Sequence, residues 1–138
     1  MRRQFLFLLT MTLLFGGCEL GMDEPLTDWN GTGDDFERTF QMQESLSEES
    51  ENRLVVKSTD LPYSGLIRRL DAEQTTEQTY EDGLLSGKSV RKSVDGARVE
   101  ANYVDGKLHG KMMIYDANGK VRSTIEYADG KLILPGTN

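Results

Sequence analysis

Apolar and polar side chains alternate with a period of two over the C-terminal half of the chain, and turn residues interrupt the alternation at regular intervals. Between Lys120 and Tyr127, the residues Val121, Ser123, Ile125 and Tyr127 fall on one face of an extended strand, and Arg122, Thr124 and Glu126 on the other. Lys111 to Tyr115, just upstream, is rich in long apolar and aromatic residues. Asp116-Ala117-Asn118-Gly119 joins the two runs, and Asn-Gly is the strongest short hairpin signal. It predicts a type I′ turn with φ positive at both Asn118 and Gly119. The preceding stretch repeats the register. Asp95-Gly96 is the turn, Ala97, Val99, Ala101 and Tyr103 share one face, and Arg98, Glu100 and Asn102 share the other.

The phrase Tyr-x-Asp-Gly-x-Leu recurs at Tyr80, Tyr103 and Tyr127, spaced by 23 and 24 residues. A fixed period of this size signals a repeat architecture. Asp82-Gly83, Asp105-Gly106 and Asp129-Gly130 add a second reversal per period, so each unit is a hairpin. Leu85, Leu108 and Leu132 follow these turns and are expected to pack between units. Gly65, Gly87 and Gly110 each open a strand, and a degraded copy begins near Tyr63, with Asp71-Ala72-Glu73 in place of a clean turn pair. Leu134 and Pro135-Gly136 end the pattern, as an atypical terminal cap would.

The N-terminal region has a different character. Arg2 and Arg3 precede an apolar run from Phe5 to Phe15, too short to span a membrane, which predicts a signal peptide over residues 1–17. Phe15-Gly16-Gly17-Cys18 resembles the lipobox of bacterial lipoproteins. That resemblance implies lipidation of Cys18, the single cysteine, and a membrane as partner through the lipid. Acyl chains anchor by about 0.8 kcal/mol per buried CH₂. From Glu19 to Asp60 there are 12 acidic and three basic residues, and from Leu61 to Asn138 there are 11 of each. Residues 18–60 therefore read as a largely disordered, self-repelling acidic tether, and 61–138 as the repeat domain. An acidic spacer of this kind is repelled by phosphates, so no nucleic-acid partner is expected.

Inside the tether, Asp28-Trp29-Asn30-Gly31-Thr32-Gly33 partly matches a calcium loop, but Thr39 stands where a bidentate carboxylate is needed, so a turn is expected there. Asp34 with Glu37 resembles a capping box, opening a short helix from about Asp35 to Glu49. Trp29 belongs either to a solvated spacer or to a recognition anchor, and Leu54-Val55-Val56 reads as a strand leading into the array.

Catalytic chemistry finds no constellation in the sequence. His109, the single histidine, has no second histidine or cysteine to work with. Asp82, Asp105 and Asp129 precede glycines and read as turn formers. No enzyme activity, metal or cofactor is expected. The recurring surface candidate is the column Tyr80, Tyr103 and Tyr127. These rings either pack on one another along the sheet or form a stripe for a peptide strand, a glycan or lipid headgroups. The opposite face, with Arg98, Glu100, Arg122, Thr124 and Glu126, reads as solvated.

Tyr103-Val-Asp-Gly-Lys-Leu-His-Gly-Lys111, Asp116-Ala-Asn-Gly-Lys120 and Tyr127-Ala-Asp-Gly-Lys-Leu132 resemble the MORN-repeat variant family, including proteins labelled antitoxins of the YwqK type. The resemblance covers roughly residues 62–132. It implies an all-β fold, an elongated single-layer antiparallel sheet of repeated hairpins, with no shared catalytic residues. It also implies a non-catalytic protein-binding or scaffolding role, or, in the antitoxin reading, neutralisation of a cognate toxin. With the lipoprotein leader, the expected location is the bacterial cell envelope.

Overall fold

The structure, a computed structural model, describes residues 28–47 and 50–134. The signal peptide, Cys18, the first part of the tether and Pro135-Gly136 lie outside them. Among the described residues the chain is all-β apart from one short helix. Its elements are β1 (Asp28–Thr32), α1 (Gly33–Thr39), β2 (Phe40–Gln43), β3 (Arg53–Val56), β4 (Leu61–Pro62), β5 (Gly65–Leu70), β6 (Gln74–Glu81), β7 (Leu84–Ser93), β8 (Arg98–Val104), β9 (Lys107–Leu108), β10 (Gly110–Tyr115), β11 (Val121–Ala128) and β12 (Lys131–Ile133). Nine strands form the large sheet, in the order β1-β5-β6-β7-β8-β10-β11-β12 with β9 paired to β8, and β2-β3-β4 form a second, small sheet.

The repeat logic holds from β5 onward, where neighbouring strands pair antiparallel, with one correction: a bulge in β11 sets Val121 opposite Tyr115 and so off the face that Ser123, Ile125 and Tyr127 share. The Asp-Gly turns are type I′: φ is 50° and 79° at Asp82-Gly83, 49° and 81° at Asp105-Gly106, and 49° and 77° at Asp129-Gly130. Each also stitches neighbouring units together. The Gly106 amide donates to the Leu85 carbonyl and the Gly130 amide to the Leu108 carbonyl, both at 2.8 Å.

The turns at the other end differ from expectation. At Asn118-Gly119 only Gly119 has positive φ, and at Asp95-Gly96 only Gly96 does. The Gly119 amide donates to the Asp116 carbonyl at 3.0 Å, and the Asp116 amide to the Lys120 carbonyl at 2.9 Å. This is a type I turn closed by a left-handed glycine, one residue longer than the type I′ hairpin. The Asp116 carboxylate explains the choice. Its Oδ1 accepts from the amides of Asn118 at 3.0 Å and Lys120 at 2.9 Å, which holds the right-handed turn in place.

Within the acidic stretch, the described residues from Asp28 onward are folded. β1 pairs parallel with β5, so a connection must cross one face of the sheet between them. That connection is α1 and the small sheet, and it forms a lid. Phe40, Leu54, Tyr63 and Ile67 are buried together, with Trp29, Phe36, Val56 and Tyr80 packed around them. Burying each of these large side chains contributes about 2 kcal/mol. The rings form a run of edge and tilted contacts: Trp29–Phe40 at 5.5 Å, Phe36–Phe40 at 5.1 Å, Phe40–Tyr63 at 5.0 Å and Tyr63–Tyr80 at 6.2 Å.

Three sequence expectations are corrected here. Asp28–Thr39 is a strand followed by a helix rather than a turn, because Trp29 pairs across from Ile67 and joins the core. The helix is capped by Thr32, whose hydroxyl accepts from the Asp35 amide at 3.2 Å while the Asp35 carboxylate accepts from the Thr32 amide at 3.0 Å; the box thus lies two residues before Asp34 and Glu37. It also stops at Thr39, because Phe40 to Gln43 pair with Arg53 to Val56.

Candidate functional site

Register places the alternating side chains of the large sheet in three cross-strand rows on the face that carries the lid. The first row is tyrosine. Tyr80 lies opposite Gly65, Tyr103 opposite Gly87 and Tyr127 opposite Gly110, and on their other flanks stand Leu85, Leu108 and Leu132 across the hairpins. Gly87 and Gly110 have φ of 80° at positions where a Cβ would meet no neighbour. Backbone conformation, rather than crowding, therefore selects glycine there. Two strand spacings of about 4.8 Å separate successive tyrosines, roughly 9.6 Å in all.

The second row runs through Ile67, Gln78, Ser89 and Ala101 and, on the last hairpin, Met112 and Ile125. The third runs through Arg69, Thr76, Arg91, Val99, Ile114 and Ser123. From β8 onward these rows are predominantly apolar. The lid lies against the N-terminal strands and the first turns. Leu54 and Gly83 share a backbone hydrogen bond of 2.8 Å, and the Arg53 guanidinium donates to the Asp82 carbonyl at 2.9 Å and is paired with its carboxylate. Among the described residues, no element lies over β8, β10 and β11.

Where the lid stops, a crevice of about 280 Å³ opens between Met42, Glu51 and Asn52 on one side and Tyr80, Leu85 and Gly106 on the other. Tyr103 and Tyr127 continue outward from it along the same row. A second groove of about 590 Å³ flanks the same loop, between Leu46, Glu51 and Arg53 and the residues Leu84, Asp105 and Lys107. Burial pushes the Tyr80 phenol up, only partly offset by Arg69, and nearby Tyr103 adds to the rise. Burial, with Asp28 nearby, takes Tyr63 to about 12. Both rings are neutral amphipathic bodies at physiological pH.

The sequence candidates fall into place as follows. Tyr80, Tyr103 and Tyr127 share one row, yet among the described residues the ring contacts run from Trp29 to Tyr80 and do not continue to Tyr103 and Tyr127. The tyrosines thus pair with glycines and leucines rather than with each other. Asp82, Asp105 and Asp129 occupy the type I′ turns. His109 stands at the position that Ser64 and Ser86 hold in earlier units; its Nδ1 is 3.4 Å from an Asp129 carboxylate oxygen, and its amide donates to Asn102. Among the described residues, no cluster of three or more His, Cys, Asp or Glu is placed to hold a metal ion, and no helix is long and apolar enough to cross a membrane.

The opposite face is solvated at Arg122, Thr124 and Glu126, as expected, but Arg98 and Glu100 are half-buried. The Arg98 guanidinium sits 3.6 Å from the centre of the Tyr115 ring and donates to Glu100 at 2.9 Å, and Lys88 pairs with the same carboxylate at 3.0 Å. The Arg98 hydrogen bond, then that of Lys88, holds the Glu100 carboxyl below its usual range. Arg122, at the bulge of β11, is largely exposed and pairs with Asp116 at 3.2 Å. Sequence reasoning read two pieces of the lid, the helix opening near Asp35 and the strand Leu54-Val55-Val56, but missed β1, the β2–β3 pairing and their closure over β5 and β6. Comparison of the chain with protein families, with curated proteins and with solved structures returns no match.

Proposed function

We propose that this chain is a bacterial lipoprotein, anchored through Cys18, whose hairpin-repeat sheet binds a partner protein at the cell envelope without catalysing a reaction. The observation that carries the reading is the uneven cover of one apolar face. The same rows that are buried under the lid at β5 and β6 run on uncovered across β8, β10 and β11. The leader pattern, the lipobox-like Gly16-Gly17-Cys18 and the resemblance of the repeats to the MORN variant family supply the address and the class. Tyr103 and Tyr127 serve as amphipathic contact residues, and the crevice beside Tyr80 takes a protruding side chain of the partner.

A photo-crosslinking residue placed at Tyr103 or Tyr127 in cells tests this, with Lys111 on the opposite face as control. One dominant protein captured from the tyrosine positions and not from Lys111 is expected; equal capture of abundant envelope proteins from all three positions would remove the binding face. Cys18→Ala is expected to release the protein into the soluble fraction. The resemblance to YwqK-type proteins also supports toxin neutralisation. That role requires a stable one-to-one complex in which the captured partner loses a toxic activity.

A further inference from the structure

The three rows on the lid-bearing face of the sheet contain two charged side chains, Arg69 and Arg91, and no carboxylate. The chain has 23 acidic residues against 16 basic ones, so the acids are kept off this face despite their excess. The two arginines differ. Arg69 is answered from within the fold: its Nε donates to Asp71 at 3.0 Å, and its guanidinium lies 5.5 Å from the centre of the Phe36 ring. Arg91, on interior strand β7, is exposed and unanswered. Among the described residues, Arg38, Arg53, Arg68, Arg69, Arg98 and Arg122 each pair with a carboxylate, and Arg91 is the one arginine that does not.

The neighbours of Arg91 supply hydrogen-bonding groups rather than charge. Thr76 stands directly across on β6 and Val99 on β8, Ser89 and Ser93 flank it along β7, and Gln74 and Gln78 lie on the diagonals. Thr76 is 2% exposed, and its Oγ1 is buried without a hydrogen-bond partner. Folds ordinarily avoid a buried hydroxyl left unpaired. Covering Thr76 asks only for an apolar stem, which leaves the five donors of the guanidinium without a structural role.

We propose that Arg91, with the Thr76 hydroxyl beside it, is the carboxylate-binding position of this face, and that the partner presents an aspartate or glutamate side chain among apolar residues. The inference rests on the partner-binding reading above and names the chemistry that is bound. A guanidinium takes a carboxylate through two parallel N–H···O bonds, and the apolar rows beyond Val99 make such a pair stronger than it is in open water. Tyr103 lies across from Gly87, and Arg91 stands four residues farther along β7, roughly 13 Å at the rise of a strand. An extended partner segment lying along the strands therefore carries its acid four residues from the side chain set against Tyr103.

The test is a titration of the full, ¹⁵N-labelled chain, followed through the Arg91 side-chain Nε–Hε and the Thr76 amide. The probes are the peptides acetyl-Val-Glu-Val-amide and acetyl-Val-Gln-Val-amide. At low ionic strength the glutamate probe is expected to shift both signals to saturation, and the glutamine probe to bind about tenfold more weakly, because the charged hydrogen bonds are lost. Arg91→Gln is expected to abolish the difference between the probes while leaving the remaining backbone signals in place. Arg91→Lys keeps the charge without the fork and is expected to retain part of it. Equal affinity for the two probes in the wild type, a comparison that needs no variant to fold, would overturn the inference. So would a glutamate preference that survives in Arg91→Gln, or shifts centred on Lys88 and Lys111 of the opposite face. The probes contain no partner protein, so the two readings fail separately. A glutamate preference at Arg91 with no protein captured at Tyr103 strikes the partner reading alone and upholds the carboxylate site. A protein captured equally well by the wild type and by Arg91→Gln overturns the carboxylate site and leaves the binding face.

Discussion

At the N-terminal end of the sheet the apolar rows meet a lid; over the last hairpins the same rows meet none among the described residues. The contrast separates what the repeat does from what the lid does. A period-two hairpin array supplies registered backbone hydrogen bonds and short-range side-chain pairs, but one layer cannot bury its own apolar face. Phe40 and Leu54 of the lid and Tyr63 and Ile67 beneath it are nearly inaccessible because lid and sheet close on one another, whereas in the outer units only Ala101 among the described residues reaches comparable burial. Stability is thus concentrated where the repeat is most degraded, and the most regular units are the most open.

The sharpest way to break this contrast is Phe40→Ala. Emptying a buried ring position is expected to cost about 3–5 kcal/mol in the denaturant midpoint, against about 1 kcal/mol or less for Ile125→Ala on the uncovered face. Similar losses at both positions would mean that the outer face is also buried. Next comes Gly119→Val. The nearest atom to a Cβ there is 3.9 Å away, so the cost is backbone alone, about 1–3 kcal/mol, because a β-branched residue resists a φ of 81°. Its loss should appear as faster amide exchange confined to β10 and β11, leaving the lidded end protected.

Thr32→Ala probes the lid from its own side. Loss of the cap is expected to cost about 1 kcal/mol and to loosen α1 without affecting β10 or β11. The smallest effect is that of pH. Hydrogen bonds from the Thr32 hydroxyl and amide, then Arg38, lower the Asp35 carboxyl from 3.8 to about 2. A folded-state value below the ordinary one means the carboxylate form favours the fold. Its contribution is full above pH 3.8 and disappears as pH falls through about 2. Acid titration of lid unfolding should show this dependence in the wild type and a reduced one in Thr32→Ala.

Much of the large sheet was legible in the sequence because its signals are local. Tyr, Asp, Gly and Leu sit at fixed offsets, and alternation assigns Ser123, Ile125 and Tyr127 to one face before any partner is known. Of the lid only the start of α1 and Leu54-Val55-Val56 were legible, for two reasons. Its apolar residues, Trp29, Phe36, Phe40 and Leu54, are spread through a segment whose excess of carboxylates dominates any composition window. And its defining contact, β1 on β5, joins Asp28 to Leu66 with most of the lid in between. The turn at Asn118-Gly119 was placed correctly but typed wrongly, since the dipeptide preference ignored the Asp116 carboxylate bonding to Asn118 and Lys120. For the candidate site, the tyrosine positions could be read directly, but the crevice that begins their row depended on the unseen lid.

The bonds from Gly106 to Leu85 and from Gly130 to Leu108 have a mechanical consequence. Each unit is fastened to its immediate neighbours in the chain, so the array transmits load in series rather than sharing it. Drawn out by its two ends, the molecule would open like a zipper from β12 inward, surrendering one hairpin at a time. The lidded end would hold until last and keep a seed on which the released hairpins could close again.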